Sequence, residues 1–198
     1  LNQMREKMAD EPAVARDTAT LIRFLRARDW KTTKSEPMLR STLAWRREFL
    51  PSVPATREEL PEEVQAELAK NKMFWHGHDV EGNLVFYMRC YMFDPKMRDL
   101  KTCMTALVFL LEEGRKMKKH PLEKVVCVCD QTTMTWNNVD FKYMKQFLGV
   151  LQNHYPEGLR ACVLYPIGWI FWATWKVSKH FMASATKKKL CFLKVGEE

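Results

Sequence analysis

The chain has 198 residues, 46% of them apolar, enough for one large domain or one domain with a small helical lobe. Its formal net charge of +8 comes from lysines and arginines spread along the whole length, which favours anionic partners: nucleic acid, acidic protein or an anionic membrane surface. A membrane span is excluded for the longest apolar run, residues 161–177, because Pro166 and Gly168 break it and Lys176 lies within it.

The opening LNQMREKMADEP is polar and charged and does not read as a signal peptide. Asp17 and Thr18 are N-cap residues for a helix carrying Leu21, Ile22, Phe24 and Leu25 at helical spacing, with Arg23, Arg26 and Arg28 among them. A second helix is predicted over residues 35–49, with Pro37 in its first turn. LPSVP stops it, and REELPEEVQAELAK reads as a short acidic helix with a mostly solvated face. Near Lys72 the rhythm changes. Two apolar segments flank a DVEGN turn, which predicts a β-hairpin. A helical pattern then runs over residues 100–118. EKVVCVCD is a buried strand by composition, residues 139–152 a helix, LRACVLYP another buried strand, residues 168–181 a helix, and KKLCFLKV a last strand. Strand and helix alternating in this way predict an α/β fold with a mostly parallel sheet.

Most catalytic signatures are missing. No GxGxxG, GxxxxGK[ST] or GxSxG is present, so nucleotide cradles and the hydrolase elbow are excluded. Asp130 ends a buried strand, where a phosphoryl-accepting carboxylate would sit, but the partner acid expected two residues on is Thr132. No catalytic residue is expected. His76 and His78 would share one strand face, yet no third ligand follows, and no metal is expected. Cys127 and Cys129 also share a face, as small apolar side chains of a core strand do. The other cysteines are Cys90, Cys103, Cys162 and Cys191. With no CxxC pair and mostly apolar surroundings they read as free buried thiols in a reducing compartment. No RNP-type strand or zinc-finger spacing accompanies the basic charge, which argues against nucleic acid.

Three stretches together carry a resemblance: LIRFLRARDWKTTKSEPMLRSTLAWRREF, HDVEGNLVFYMR, and VVCVCDQTT followed by LQNHYPEGLRACVLYPIGWIFWATWKVSKHFMASATKKKLCFL. In this order and spacing they resemble the CRAL-TRIO family of lipid-binding proteins, most closely its fungal-type phosphatidylinositol/phosphatidylcholine transfer members, over residues 17–195. The resemblance implies an N-terminal helical lobe (residues 1–70) packed on an α/β lipid-binding domain (residues 71–198) of about five strands. The family usually continues past LKVGEE, so the domain is expected to be truncated there. By motif, Arg28, Glu157, Thr186 and Lys189 would hold an inositol-phosphate headgroup. The chemistry fits: Arg and Lys suit a phosphodiester, Thr can donate to it, and a carboxylate accepts from inositol hydroxyls. Arg28 and Glu157 paired to each other, tying lobe to core, is the structural alternative. The positions that serve choline-phosphate fall on Trp75, Phe86, Val125 and Cys127, none of which brings a comparable hydroxyl.

The stretch GWIFWATWKVSKHF would be the gate of such a pocket. At about 100° per residue, Trp169, Trp172, Trp175, Lys176 and Lys179 fall on one side and Ile170, Thr174, Val177 and Phe181 on the other. The first side suits a membrane interface and the second a lipid pocket. The resemblance implies a cytoplasmic, monomeric, non-enzymatic transfer protein, peripherally associated with anionic membranes. It would carry a bound phospholipid, phosphatidylinositol in particular, and no other cofactor. The alternative is a module for another apolar ligand, such as a sterol, retinoid, tocopherol-like molecule or haem, within a larger signalling protein.

Overall fold

The computed structural model describes residues 1–196. Three helices form the lobe: α1 (Asn2–Lys7), α2 (Thr18–Arg26) and α3 (Thr32–Phe49). The Asp17 carboxylate accepts from the amides of Ala19 and Thr20, as an N-cap should. The charged N-terminal stretch carries an apolar stripe that its composition hides. Met4 and Met8, one helical turn apart, are fully buried against Leu21, Phe24, Leu25 and Leu39. Each buried side chain of this kind contributes about 1.5–3 kcal/mol. Asp29 and Trp30 both take positive φ, so the chain reverses tightly and α3 begins at Thr32. Pro37, expected in the first turn, therefore lies inside the helix.

Helix α4 (Glu62–Ala69) follows. It is mostly solvated, as expected, with Val64 and Leu68 on the one face that enters the main core. Glu67 is buried with them and bonds Lys70 at 2.7 Å and Lys72 at 2.9 Å. Two such partners make the buried carboxylate tolerable.

The five strands are β1 (Met73–His78), β2 (Leu84–Arg89), β3 (Val125–Asp130), β4 (Leu159–Tyr165) and β5 (Leu190–Phe192), in spatial order 1-2-3-4-5. β1 and β2 form the expected antiparallel hairpin, and every later neighbour is parallel. The crossovers are α5 (Leu100–Met117), α6 (Phe141–His154), and α7 (Trp169–Ser178) with a 3-10 turn and the short α8 (Ser184–Lys187). The α/β class with a mostly parallel five-stranded sheet is as the sequence predicts. One expectation about β1 fails. A bulge at His76–Gly77, where Gly77 has φ +105°, moves His78 into register with Leu84. His76 packs with Phe74 and Tyr87 on one face, and the shift turns His78 to the other.

Candidate functional site

A cavity of about 680 Å³ opens between the sheet and the helices. That lies within the usual range for small-ligand sites, about 300–1,000 Å³. Alternation along the strands sends Trp75, Phe86, Met88, Cys127, Cys129, Cys162 and Leu164 to its floor. Phe147, Leu148 and Leu151 of α6 wall one side, and Phe171, Thr174 and Trp175 of α7 another. The lobe closes one end through Phe24, Leu39 and Leu43.

Arg28, Glu157, Thr186 and Lys189 all line this cavity. Their placement follows from topology. Glu157 stands two residues before the start of β4, and Thr186 and Lys189 precede β5. Since β4 and β5 are parallel neighbours, these loops share the amino-terminal edge of the sheet. The Lys189 carbonyl accepts from the Cys162 amide at 2.8 Å, fixing this segment to β4. Arg28 sits in the turn after α2, where its guanidinium bonds the Ala27 carbonyl. No ion pair joins Arg28 to Glu157. The Glu157 carboxylate has Lys124 at 3.9 Å instead.

What ties lobe to core is a different set of residues. Arg46 of α3 grips Glu112 of α5 with two bonds, of 2.9 and 3.0 Å, and the Tyr155 hydroxyl donates to the same carboxylate at 2.6 Å. Burial opposes charge on Glu112, but the Arg46 bond, nearby Arg115 and the Tyr155 bond outweigh it and hold the carboxyl below its usual range. His154 stacks on Trp45 with centroids 4.1 Å apart and planes 3° from parallel. Thr42 donates to the Asn153 carbonyl at 2.9 Å. Thus His154 and Tyr155 of the HYPE motif serve docking of the lobe.

Three more cations at the same edge escaped sequence reasoning. Arg23 of α2, Arg115 near the end of α5 and Lys118 just beyond it all line the cavity. Burial, with Arg115 close by, weakens the hold of Arg23 on its proton. Burial, with Arg23 and Arg115 nearby, brings the Lys118 ammonium down to about 8. Cations crowded in this way favour an anion among them. The chain gives no local signal for the cluster, because two helices far apart in sequence supply it.

The opposite, carboxyl-terminal edge is aromatic. Trp169 is 68% exposed and Trp172 45%. Trp136, from the loop after β3, meets Trp169 edge-on at 5.6 Å. Lys176 is also exposed, while Lys179, Ile170 and Phe181 are half-buried. Two residues of α7 stand on the side opposite to that expected. Trp175 turns inward to line the cavity, and Val177 turns outward. The helix phase is set by Phe171, Thr174 and Ser178, which are buried, and by Phe192 of β5, which contacts Phe171, Trp172 and Trp175.

Trp75 is also committed. Its Nε1 donates to the Leu110 carbonyl at 2.8 Å. Asp130 accepts from the Tyr87 hydroxyl at 3.0 Å and from the Thr132 amide at 2.9 Å, so it closes the turn after β3.

Comparison with known proteins gives a consistent picture. Residues 68–198 match the CRAL/TRIO domain and residues 1–41 the CRAL/TRIO N-terminal domain. "Phosphatidylinositol transfer protein PDR17" of Saccharomyces cerevisiae is 29% identical over 181 residues, 86% of this chain and 51% of that protein. The CRAL-TRIO domain-containing protein C3H8.02 of Schizosaccharomyces pombe is 27% identical over 87% of this chain and 40% of its own length. Patellin-6 of Arabidopsis thaliana is 28% identical over 89% of this chain and 45% of its own length. The chain thus spans about half the length of these relatives. Among solved structures, that of Sfh5 superposes with a TM-score of 0.75 at 21% identity, over 96% of this chain and 66% of that one.

Proposed function

The chain belongs to the CRAL/TRIO family of lipid-binding and lipid-transfer proteins, and from that premise we propose that it takes phosphatidylinositol into its cavity and exchanges it between membranes. One observation carries this reading: a single cavity joins an apolar floor to a cationic edge, lined by Arg28, Thr186 and Lys189 together with Arg23 and Lys118. Acyl chains suit the floor, and a phosphodiester suits the edge. Glu157, on the same edge, suits inositol hydroxyls, which donate to a carboxylate.

Trp136, Trp169, Trp172 and Lys176 form the outer edge that would meet the bilayer, with indoles at headgroup level and lysine against anionic phosphate. No helix among the described residues is long and apolar enough to cross a membrane. Transfer needs no bond to break. Its barrier is exposure of acyl chains to water, about 0.8 kcal/mol per CH₂, and a cavity that receives the chains directly lowers it.

The test pairs identification with mutation. Phosphatidylinositol should co-purify from a eukaryotic host at near one per protein. The double variant Glu157→Ala, Lys189→Ala should lose inositol-lipid transfer while its melting temperature stays within a few degrees of wild type. Unchanged transfer would overturn the headgroup assignment. A sterol, retinoid or haem in place of the phospholipid would retain the cavity and overturn the ligand.

A further inference from the structure

The cavity floor carries a second chemical feature that lipid binding does not use. Cys127 and Cys129 lie two apart on β3, so both side chains leave the same face. In β4, Cys162 is the register partner of Cys127. Cys90 is the first residue past β2, one step beyond Arg89, which pairs with Asp130. Three strands therefore deliver four cysteines to one patch, and all four line the cavity.

The thiols converge further than the backbone requires. Two side chains at i and i+2 on a strand start about 6.6 Å apart. Yet the sulfurs of Cys127 and Cys129 are 3.9 Å apart, and those of Cys129 and Cys162 are 3.6 Å apart. All three sulfurs lie within 4.8 Å of one another, while the Cys90 thiol, outside this group, donates to the Met88 carbonyl at 4.0 Å. The edge of a tetrahedron of sulfurs around Zn²⁺, with Zn–S of about 2.3 Å, is about 3.8 Å. Among the described residues this is the one group of three or more ligand-type side chains so disposed. The fifth and sixth cysteines stand apart: Cys103 bonds Glu67 in the main core, and Cys191 is exposed on β5.

We propose that Cys127, Cys129 and Cys162 form a three-thiolate binding site for a soft d¹⁰ cation, Zn²⁺ or its probe Cd²⁺, on the floor of the cavity, with the fourth position left to a solvent or added ligand. Sulfur-only donors select thiophilic ions over Mg²⁺ or Ca²⁺, which need oxygen. Binding replaces thiol protons by metal–sulfur bonds, so protons leave as the ion enters and no electron changes hands. The site does not depend on which lipid the cavity takes.

The experiment is a Cd²⁺ titration of the reduced protein, followed by the ultraviolet thiolate-to-metal charge-transfer band, with Zn²⁺ as competitor. The expected result is saturation at one equivalent, reversal by Zn²⁺ and proton release measurable by calorimetry in two buffers. Cys129→Ser and Cys162→Ser should each weaken binding more than about tenfold, and Cys191→Ser should leave it unchanged. Cys129→Ala and Cys162→Ala serve if a serine variant fails to fold. Wild-type protein that takes up no Cd²⁺ saturably overturns the proposal, and so does uptake that survives loss of both Cys129 and Cys162.

Discussion

Two residues show how neighbours far away in sequence decide what a side chain does. Gly114 lies inside α5, where alanine would ordinarily be favoured by about 1 kcal/mol. Here a Cβ on Gly114 would stand 2.0 Å from the Trp75 ring, whose Nε1 is pinned to the Leu110 carbonyl on the same helix. Gly114→Ala should therefore destabilise the protein by about 1–3 kcal/mol, the overpacking range, despite the gain in helix propensity. Urea denaturation reads the sign directly. Lys118 makes the complementary point for charge. With its ammonium brought down to about 8 by burial and by Arg23 and Arg115, it is mostly charged at pH 7 and mostly neutral at pH 9. Affinity for an anionic headgroup should then fall over that interval. Lys118→Arg keeps its charge throughout and should flatten the dependence. Equilibrium binding to labelled phosphatidylinositol at pH 7, 8 and 9 measures both. Neither effect is legible in the sequence, since nothing local marks Trp75 as the neighbour of Gly114 or Arg23 as the neighbour of Lys118.

At the scale of elements, the strands were the most legible part. Their β-branched and cysteine-rich runs, with turn signals between, suffice for the hairpin and the parallel order. Helix α7 was legible as a helix but not in its phase. Residue type alone assigns tryptophan outward and valine inward. Phe192, from a strand later in the chain, draws Trp175 into the cavity and leaves Val177 outside. The far end of this segment is held by a side chain that carries no local signal in the sequence. Gln152 of α6 donates to the Phe181 carbonyl at 2.9 Å and accepts from the Ala183 amide at 2.5 Å, spanning the link between α7 and α8. Gln152→Ala removes both bonds, each contributing about 0.5–1.5 kcal/mol, and should free the link without disturbing the sheet. Hydrogen exchange at residues 181–183 should accelerate about fivefold or more, and lipid exchange with vesicles should quicken with it. Exchange unchanged at those amides would show that the clamp does not govern the link.

At the scale of the whole molecule, the two edges of the sheet differ in chemistry, cationic at the amino ends of the strands and aromatic at the carboxyl ends, and the lobe caps the first. The attachment of the lobe was only half legible. The HYPE stretch stood out in the sequence, but its His154 and Tyr155 find their partners, Trp45 and Glu112, on other helices. That attachment carries a pH dependence. Burial, with Arg46 nearby, lowers the His154 imidazole to about 4 from its ordinary value near 6.5. A histidine so depressed is neutral in both folded and unfolded states above pH 6.5, where its contribution is fully present. As pH falls from 6.5 the unfolded chain takes up a proton that the folded one refuses, so stability is lost progressively down to about pH 4. The ring is only half-buried, and solvent screening limits the loss to about 1–2 kcal/mol. Carboxylates titrate in the lower part of the window, so the comparison must be differential. His154→Phe keeps a flat ring against Trp45 and has nothing to protonate. The gap in melting temperature between wild type and His154→Phe should shift in favour of the variant as pH falls from 7 to 4.5. A gap that stays constant across that range would mean His154 titrates as it does in the unfolded chain, and any acid sensitivity of the lobe attachment would then rest on the Arg46–Glu112 pair.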